Sequence, residues 1–340
     1  MTSAPMFPRR KLPRADLSLP TLGFGGAPLG GLFDAVDKEE ASAALASALN
    51  NGLSYVDTAP FYGFGKSERR VGDILRGRSY QLSTKVGRLL RPGAVADPAA
   101  MGWPDALPFT PVYDYSYDGT MRSYDASLHR LGLDRIDILY VHDIGETTHG
   151  AKNAGHLQDL KDGGYRALAE LRETGQIKAI GLGVNESAAC LQALDIGDWD
   201  LFLLAGRYTL LEQDPLADLL PACEARGTGI VIGGPFNSGI LVGGATWNYG
   251  AAPAEVVARV EALKAICTDY NVPLPAAALQ FPLGHPAVIS VIPGLRDRRE
   301  LQATLDWAAT DIPAAFWAAL RDAELLHPDA PLPQGNPFKE

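Results

Sequence analysis

Short runs of Val, Ile and Leu alternate along the chain with longer stretches in which apolar residues recur every three or four positions. Seven of the short runs read as strands: Leu53–Asp57, Tyr80–Lys85, Ile136–His142, Lys178–Val184, Asp200–Ala205, Gly229–Gly233 and Val288–Pro293. Their near-continuous apolar character marks strands covered on both faces, as in a parallel sheet. Leu19–Gly25 is the candidate for an eighth. Between them lie helical patterns. Lys38–Asn51 has apolar or Ala positions at 41, 44, 45, 48 and 49, on one face of a helix. Asp37 stands where an N-cap belongs and Gly52 where a C′ residue belongs. Ser67–Leu75, Tyr117–Leu131, Gly164–Thr174, Glu186–Leu194, Pro215–Arg226, Pro253–Tyr270 and Arg298–Trp307 repeat the theme.

Eight strands alternating with helices predict an α/β fold, a (β/α)8 TIM barrel. The rival, a doubly wound sheet, needs G-x-G-x-x-G, but Gly23-x-Gly25 is followed by Pro28 where the third Gly should stand. A P-loop ending in Gly65-Lys66-Ser67 would need Gly at position 60, which is Pro60. No composition shift marks a linker, so residues 1–340 read as one barrel domain. Its core spans about 19–310, and a proline-rich tail over 327–340 wraps the surface. The long segments Gly87–Ser116 and Asp143–Gly163 follow strands directly. In a barrel they become long loops at the C-terminal face, where active sites are built.

Composition narrows the function. With 40 acidic and 30 basic residues among 340, the net charge is −10, which argues against a nucleic-acid partner. The 46% apolar content excludes a disordered chain. Cys190, Cys223 and Cys267 form no metal spacing and are odd in number, so free thiols in a reducing, cytoplasmic setting are expected. Met1–Pro20 has no apolar signal core, and no apolar run is long enough to span a membrane. The six histidines make no HxH pair and no HExxH, so no metal is expected. A monomer or small homo-oligomer is expected.

Four residues at C-terminal strand ends fit together chemically. Asp57 ends strand 2, Tyr62 lies five residues later, Lys85 ends strand 3 and His142 ends strand 4. Neighbouring strands let them converge. A Tyr hydroxyl is ordinarily too weak an acid for neutral pH, and an adjacent Lys ammonium lowers its pKa. A carboxylate holds the Lys, and a His orients the reacting oxygen. The result is a proton relay at one oxygen, the half-reaction that accompanies hydride transfer.

Asp57-Thr58-Ala59-Pro60-Phe61-Tyr62-Gly63, Gly65-x-Ser67-Glu68 and Gly72 resemble the aldo-keto reductase signature. Ser83-Thr84-Lys85-Val86-Gly87 and Ile138-Leu139-Tyr140-Val141-His142 resemble the segments that hold that family's Lys and His. The resemblance runs from about Leu19 to Trp307. It implies NAD(P)-dependent carbonyl–alcohol interconversion, with Tyr62 as the proton donor or acceptor, Lys85 its activator, Asp57 the partner of Lys85 and His142 the orienter. Asp114–Gly119, Leu139–Asp143, Gly183–Glu186 and Leu204–Gln213 are similar to the branch of L-fucose (D-threo-aldose) 1-dehydrogenases, L-galactose dehydrogenases and pyridoxal 4-dehydrogenases. That similarity implies oxidation of a sugar's anomeric hydroxyl to a lactone. Pyridoxal oxidation or general aldehyde reduction is the alternative. A cofactor-binding barrel without catalysis is the more distant one.

The resemblance also places the cofactor. It puts Gly26 and Ala27 after strand 1, Asp57 and Asn185 at strand ends, and Phe236, Asn237, Ser238, Gly239 and Leu241 in a pyrophosphate-wrapping loop after strand 7. Tyr208 is a further candidate, with a core role as its rival. Gly294, Arg296, Arg298 and Glu300 would hold the adenosine 2′ end. NADP-preferring members carry an Arg where Glu300 stands, so NAD is expected in preference, with NADP the alternative. Trp103, Tyr113, Tyr115 and Arg207 are the candidate contacts for a small sugar or aldehyde substrate.

Overall fold

The computed structural model describes residues 7–339. Met1–Met6 and Glu340, and with them parts of the predicted N-terminal segment, tail and domain span, lie outside the described residues. Eight parallel strands run in sequential order: β1 (Phe24–Gly25), β2 (Tyr55–Asp57), β3 (Gln81–Val86), β4 (Ile138–His142), β5 (Ala179–Val184), β6 (Leu201–Ala205), β7 (Gly229–Gly233) and β8 (Val288–Ile292). The ring closes where Gly23 N donates to Val291 O at 3.0 Å and Gly25 N to Pro293 O at 2.8 Å. Each strand is followed by a helix: α1 (Lys38–Asn50), α2 (Lys66–Leu75), α3 (Tyr117–Leu131), α4 (Tyr165–Glu173), α5 (Ser187–Leu194), α6 (Leu219–Arg226), α7 (Leu274–Gln280) and α8 (Arg298–Ala309). This is a (β/α)8 barrel. Asp37 caps α1 by accepting from Glu40 N at 3.0 Å, and Gly52 follows it at φ 89°.

Four expectations need correction. Only Phe24–Gly25 of the segment Leu19–Gly25 joins the barrel. Leu19–Pro20 pairs instead with Arg9–Arg10 in an antiparallel hairpin. Its Leu12, Leu17 and Leu19 plug the barrel floor against Tyr55, Tyr140 and Leu201. Burying those leucines outweighs extending one edge-on strand. The segment Asp143–Gly163 is mostly helical: Glu146–His149, Asn153–Asp159, then a π-helical turn Leu160–Gly164 that runs into α4. Its polar face hid the period. Gly87–Ser116 contains the antiparallel ribbon Arg88–Pro92/Phe109–Tyr113. Helices Leu274–Gln280 and Ala314–Asp322 were not anticipated; both are short and open directly after a proline, Pro273 and Pro313.

Glycines in β5 shape the barrel interior. A Cβ on Gly181 would sit 1.8 Å from Leu201 O and 3.1 Å from the Tyr140 ring. One on Gly183 would sit 3.0 Å from Lys85 Cε. The GLG run therefore vacates the space that Tyr140 and Lys85 fill. The tail packs down through Phe338, whose ring meets Phe7 edge-on at 6.0 Å. The three cysteines are buried free thiols. No described helix is long and apolar enough to cross a membrane.

Leu19 is fully buried at the floor, at the end opposite the strand termini that carry the candidate chemistry. Leu19→Ala should lower stability by about 2–5 kcal/mol in chemical denaturation while sparing specific activity; a loss far below that would show the floor is loosely packed.

Candidate active site

Asp57, Lys85 and His142 end adjacent strands, and Tyr62 is delivered by the loop after β2. Lys85 is fully buried and donates to Asp57 Oδ2 at 2.6 Å, Thr58 O at 3.0 Å and Tyr62 Oη at 3.0 Å. Asp57 Oδ1 accepts from Ser83 Oγ at 2.7 Å. The Tyr62 and His142 rings meet edge-to-face with centroids 5.9 Å apart.

The surrounding motif is a set of braces for Tyr62. Thr58 Oγ1 and Ser67 Oγ lie 2.8 Å apart, and Ser67 Oγ donates to Gly26 O at 2.7 Å. Buried Glu68 accepts from Thr84 Oγ1 at 2.7 Å and pairs with Arg130. Gly63, at φ 62°, must be glycine: a Cβ there would lie 2.2 Å from Gly30 O. These ties join the β2 loop to β1, β3 and α3.

Burial dominates the electrostatics. It raises the Tyr62 hydroxyl well above 10, Asp57 and Asp143 add to the rise, and Arg88 opposes it. The expectation that Lys85 lowers this pKa is thus overridden by desolvation, and the phenol is neutral at pH 7. Burial, helped by the charges of Arg88 and Lys85, holds His142 well below 6.5, so the imidazole is neutral. Burial also raises the Asp57 carboxyl, against the pull of Lys85 and Ser83.

Two connected hollows open at this end of the barrel. A cavity of about 580 Å³ is walled by Phe61, Tyr62, Trp103, His142, Asp143 and Tyr249. A groove of about 560 Å³ runs from Tyr62 past Phe236–Gly239 to Gly294–Glu300. Asn237, Ser238 and Gly239 are consecutively left-handed at φ 47°, 60° and 102°, a tight turn in which Asn237 N and Gly239 N donate to Gly234 O and Phe236 O at 3.0 Å each. Asn237 Oδ1 is buried there without a protein partner among the described residues. A long, anionic, hydrogen-bonding ligand fits this groove.

The aldo/keto reductase family profile matches residues 21–324. The chain belongs to the aldo/keto reductase family. It is 45% identical over 334 residues to a pyridoxal 4-dehydrogenase of Microbacterium luteolum, covering 94% of this chain and 98% of that one. It is 41% identical over 327 residues to a D-threo-aldose 1-dehydrogenase of a Pseudomonas species, covering 92% and 96%. An aldo-keto reductase structure from Bacillus halodurans superposes with a TM-score of 0.73 at 23% identity, covering 96% and 98%. The protein is therefore an oxidoreductase of this family.

Within this aldo/keto reductase, most of the expected contacts line the two hollows. Gly26, Ala27, Asp57, Asn185, Phe236, Asn237, Ser238, Gly239, Gly294, Arg296 and Glu300 line the groove, as does Arg207. Trp103 lines the cavity, and Asn185 borders both. Five residues do not. Arg298 turns outward to Glu40 at 3.1 Å, because it sits on the solvent side of the first turn of α8. Leu241 is buried in the core. Tyr113 lies exposed on the ribbon against His149, with ring centroids 4.6 Å apart. Tyr115 is buried behind the wall, where its hydroxyl donates to His142 O at 2.8 Å. Tyr208 packs in the core beside Phe281.

Sequence reasoning missed Arg88 and Asp143. They form a tight ion pair beside His142, with Asp143 Oδ2 3.5 Å from His142 Nε2. Arg88 also lies over the Phe61 ring, 4.0 Å from its centroid. Asp143 follows His142 directly in the chain, which was the available signal. Its strained φ of 44° was not visible in sequence. Phe33 and Tyr249, from the loops after β1 and β7, face each other at 6.2 Å across the mouth and were also missed.

A methyl group at Gly183 would press on Lys85 Cε, whose Nζ is held by three hydrogen bonds. Gly183→Ala should cost about tenfold or more in kcat, as small misplacements of catalytic groups do, with an unchanged melting profile as the control. Unaltered kcat would show that Lys85 has slack.

Proposed function

We propose that the protein is an NAD-linked dehydrogenase that oxidises the anomeric hydroxyl of an aldose of the L-fucose, L-galactose or D-arabinose type to its lactone, with Tyr62 exchanging the proton. The observation that carries this reading is the hydrogen-bond count at Lys85. An ammonium has three N–H donors. Asp57 Oδ2, Thr58 O and Tyr62 Oη take all three. Tyr62 Oη is therefore an acceptor toward Lys85, which leaves its own O–H directed to the cavity and a reacting oxygen. In reduction Tyr62 donates this proton. In oxidation the substrate carbon loses hydride while its hydroxyl proton passes to the Tyr62 phenolate, leaving a C=O.

A nicotinamide dinucleotide, held along the groove, would supply the chemistry of hydride transfer. The Phe236–Gly239 turn suits its pyrophosphate, and Gly294, Arg296 and Glu300 its adenosine end. Glu300 accepts from Arg296 N at 2.9 Å and Arg296 Nε at 2.6 Å. A carboxylate at that place repels a 2′-phosphate and accepts from ribose hydroxyls, which favours NAD.

Asp143, held by buried Arg88, offers a hydroxylated substrate a charged hydrogen-bond acceptor on the cavity wall beside His142, and the 41% identical aldose dehydrogenase supports a sugar. Pyridoxal is the second reading, favoured by the 45% identical relative and by the aromatic wall of Phe61 and Trp103. The two share a chemical form. An aldose and pyridoxal each carry an aldehyde near a hydroxyl, close to a cyclic hemiacetal, and give a lactone on oxidation.

The test is a panel of L-fucose, L-galactose, D-arabinose, pyridoxal and small aldehydes, each with NAD and with NADP. A sugar should give the highest kcat/KM, with NAD. A pyridoxal rate far above every sugar would overturn the substrate, and NADP dominance the cofactor. Tyr62→Phe should abolish turnover, by about 10²–10⁴-fold, while cofactor still binds; near-normal activity would remove Tyr62 from its role.

The raised Tyr62 pKa sets the pH dependence. Reduction uses the protonated phenol, which is present throughout the neutral range and lost only above the raised pKa. Oxidation uses the phenolate, so its kcat should climb as pH rises from 7 toward 10. A reduction rate that rises with pH, or an oxidation rate that falls from pH 7 toward 10, would contradict the assignment.

A further inference from the structure

Beneath Asp57 the barrel holds a string of hydroxyls that the proton exchange at Tyr62 does not by itself require. Ser83 Oγ lies 2.7 Å from Asp57 Oδ1, Tyr55 Oη 3.1 Å from Ser83 Oγ, and Tyr140 Oη 3.0 Å from Tyr55 Oη. All four residues are buried. Proton count fixes the direction of every bond. Ionised Asp57 can only accept, so Ser83 gives it its single proton. Ser83 must then accept from Tyr55, and Tyr55 from Tyr140. The far end stops in the apolar plug of Leu12, Leu17 and Leu19, where Tyr140 Oη has no further protein partner among the described residues. The string is thus no exit for protons. It is a row of aligned O–H dipoles, all pointing at one carboxylate oxygen, in a medium where such bonds polarise one another.

We propose that Ser83, Tyr55 and Tyr140 are positioning residues that hold Asp57 ionised, and through it keep Lys85 charged toward Tyr62. The other carboxylate oxygen is committed to Lys85 at 2.6 Å. With both oxygens occupied from opposite sides, the carboxylate cannot rotate, and its proton affinity depends on the donor below. Loss of the Ser83 hydroxyl makes Asp57 more basic, so it pulls the proton of its Lys85 hydrogen bond further toward itself. The positive charge beside Tyr62 then weakens, and the phenol becomes a poorer acid. The influence fades with each bond away from Asp57. The barrel makes room for the string deliberately: Gly23 and Gly181 stand where any Cβ would press on the Tyr55 or Tyr140 rings, at 3.0 Å and 3.1 Å.

The effect on rate rests on Tyr62 as proton carrier, so the test has one arm that needs no turnover. Infrared difference spectra follow the carboxylic-acid C=O stretch of Asp57 against pH, assigned by its absence from Asp57→Asn. The midpoint should rise by about one pH unit in Ser83→Ala, less in Tyr55→Phe and least in Tyr140→Phe, with Ser83→Thr near wild type. In parallel, the acid limb of the oxidation pH–rate profile should move up in the same order, so that Ser83→Ala loses about tenfold at neutral pH. Cofactor affinity and melting temperature serve as controls for packing. An unshifted infrared midpoint in Ser83→Ala, or equal rate losses in the three variants with unmoved pH profiles, overturns the proposal. A shifted midpoint in a protein without oxidation activity upholds the string and instead rejects the reading of Tyr62.

Discussion

The ion pair between Lys85 and Asp57, sealed inside the barrel at 2.6 Å, is the constraint around which the rest is arranged. A buried pair survives only when both ions have further hydrogen bonds, because desolvation rivals their attraction. Removing one partner would leave an uncompensated charge, at about 3–5 kcal/mol. The surroundings meet that requirement atom by atom. Thr58 O and Tyr62 Oη complete the ammonium, and Ser83 completes the carboxylate. The register of β2 on β3, with Asp57 opposite Ser83, sets the first contact. The missing side chain at Gly183 of β5 gives Lys85 its path across the interior.

Strands and loops divide the remaining work. Strand ends carry Asp57, Lys85 and His142 on a hydrogen-bonded ring that cannot shift them independently. The loops bring what must meet a ligand: Trp103 from the segment after β3, Asp143 after β4, and Phe236 to Tyr249 after β7. The braces from Ser67 and Glu68 bring Tyr62, a loop residue, under the control of the strands. A barrel built this way can change its wall without disturbing the candidate tetrad, which accords with similarity to relatives named for both an aldose and pyridoxal.

The net charge of −10 opposes any anionic ligand at long range. Locally the balance is reversed or cancelled. Arg296 and Arg299 border the groove, while Arg296 is itself engaged by Glu300. The groove thus presents a nearly balanced set of charged side chains rather than a strongly positive one.

Much of this was legible in the linear chain. Near-continuous apolar runs, separated by capped helical stretches, determined the parallel barrel, because strands buried on both faces have no polar side to show. The spacing of Asp57, Tyr62, Lys85 and His142 determined the candidate tetrad, because residues at the ends of successive barrel strands must be neighbours. Packing alone decided the rest. Leu19 could serve either a strand or a floor, and only the leucines it meets across the hairpin chose the floor. Tyr113 and Tyr115 looked equivalent, and their rings stack 6.4 Å apart, yet Tyr113 ends the exposed ribbon while Tyr115 lies past it, buried against His149 and the carbonyl of His142. Arg298 lost the groove to Arg299 through the turn of about 100° between neighbouring helical residues. Tyr55, Ser83 and Tyr140 read as ordinary strand residues. Their alignment exists only once three strands curve around a common axis, since a hydrogen bond between residues 85 positions apart depends on closure of the ring.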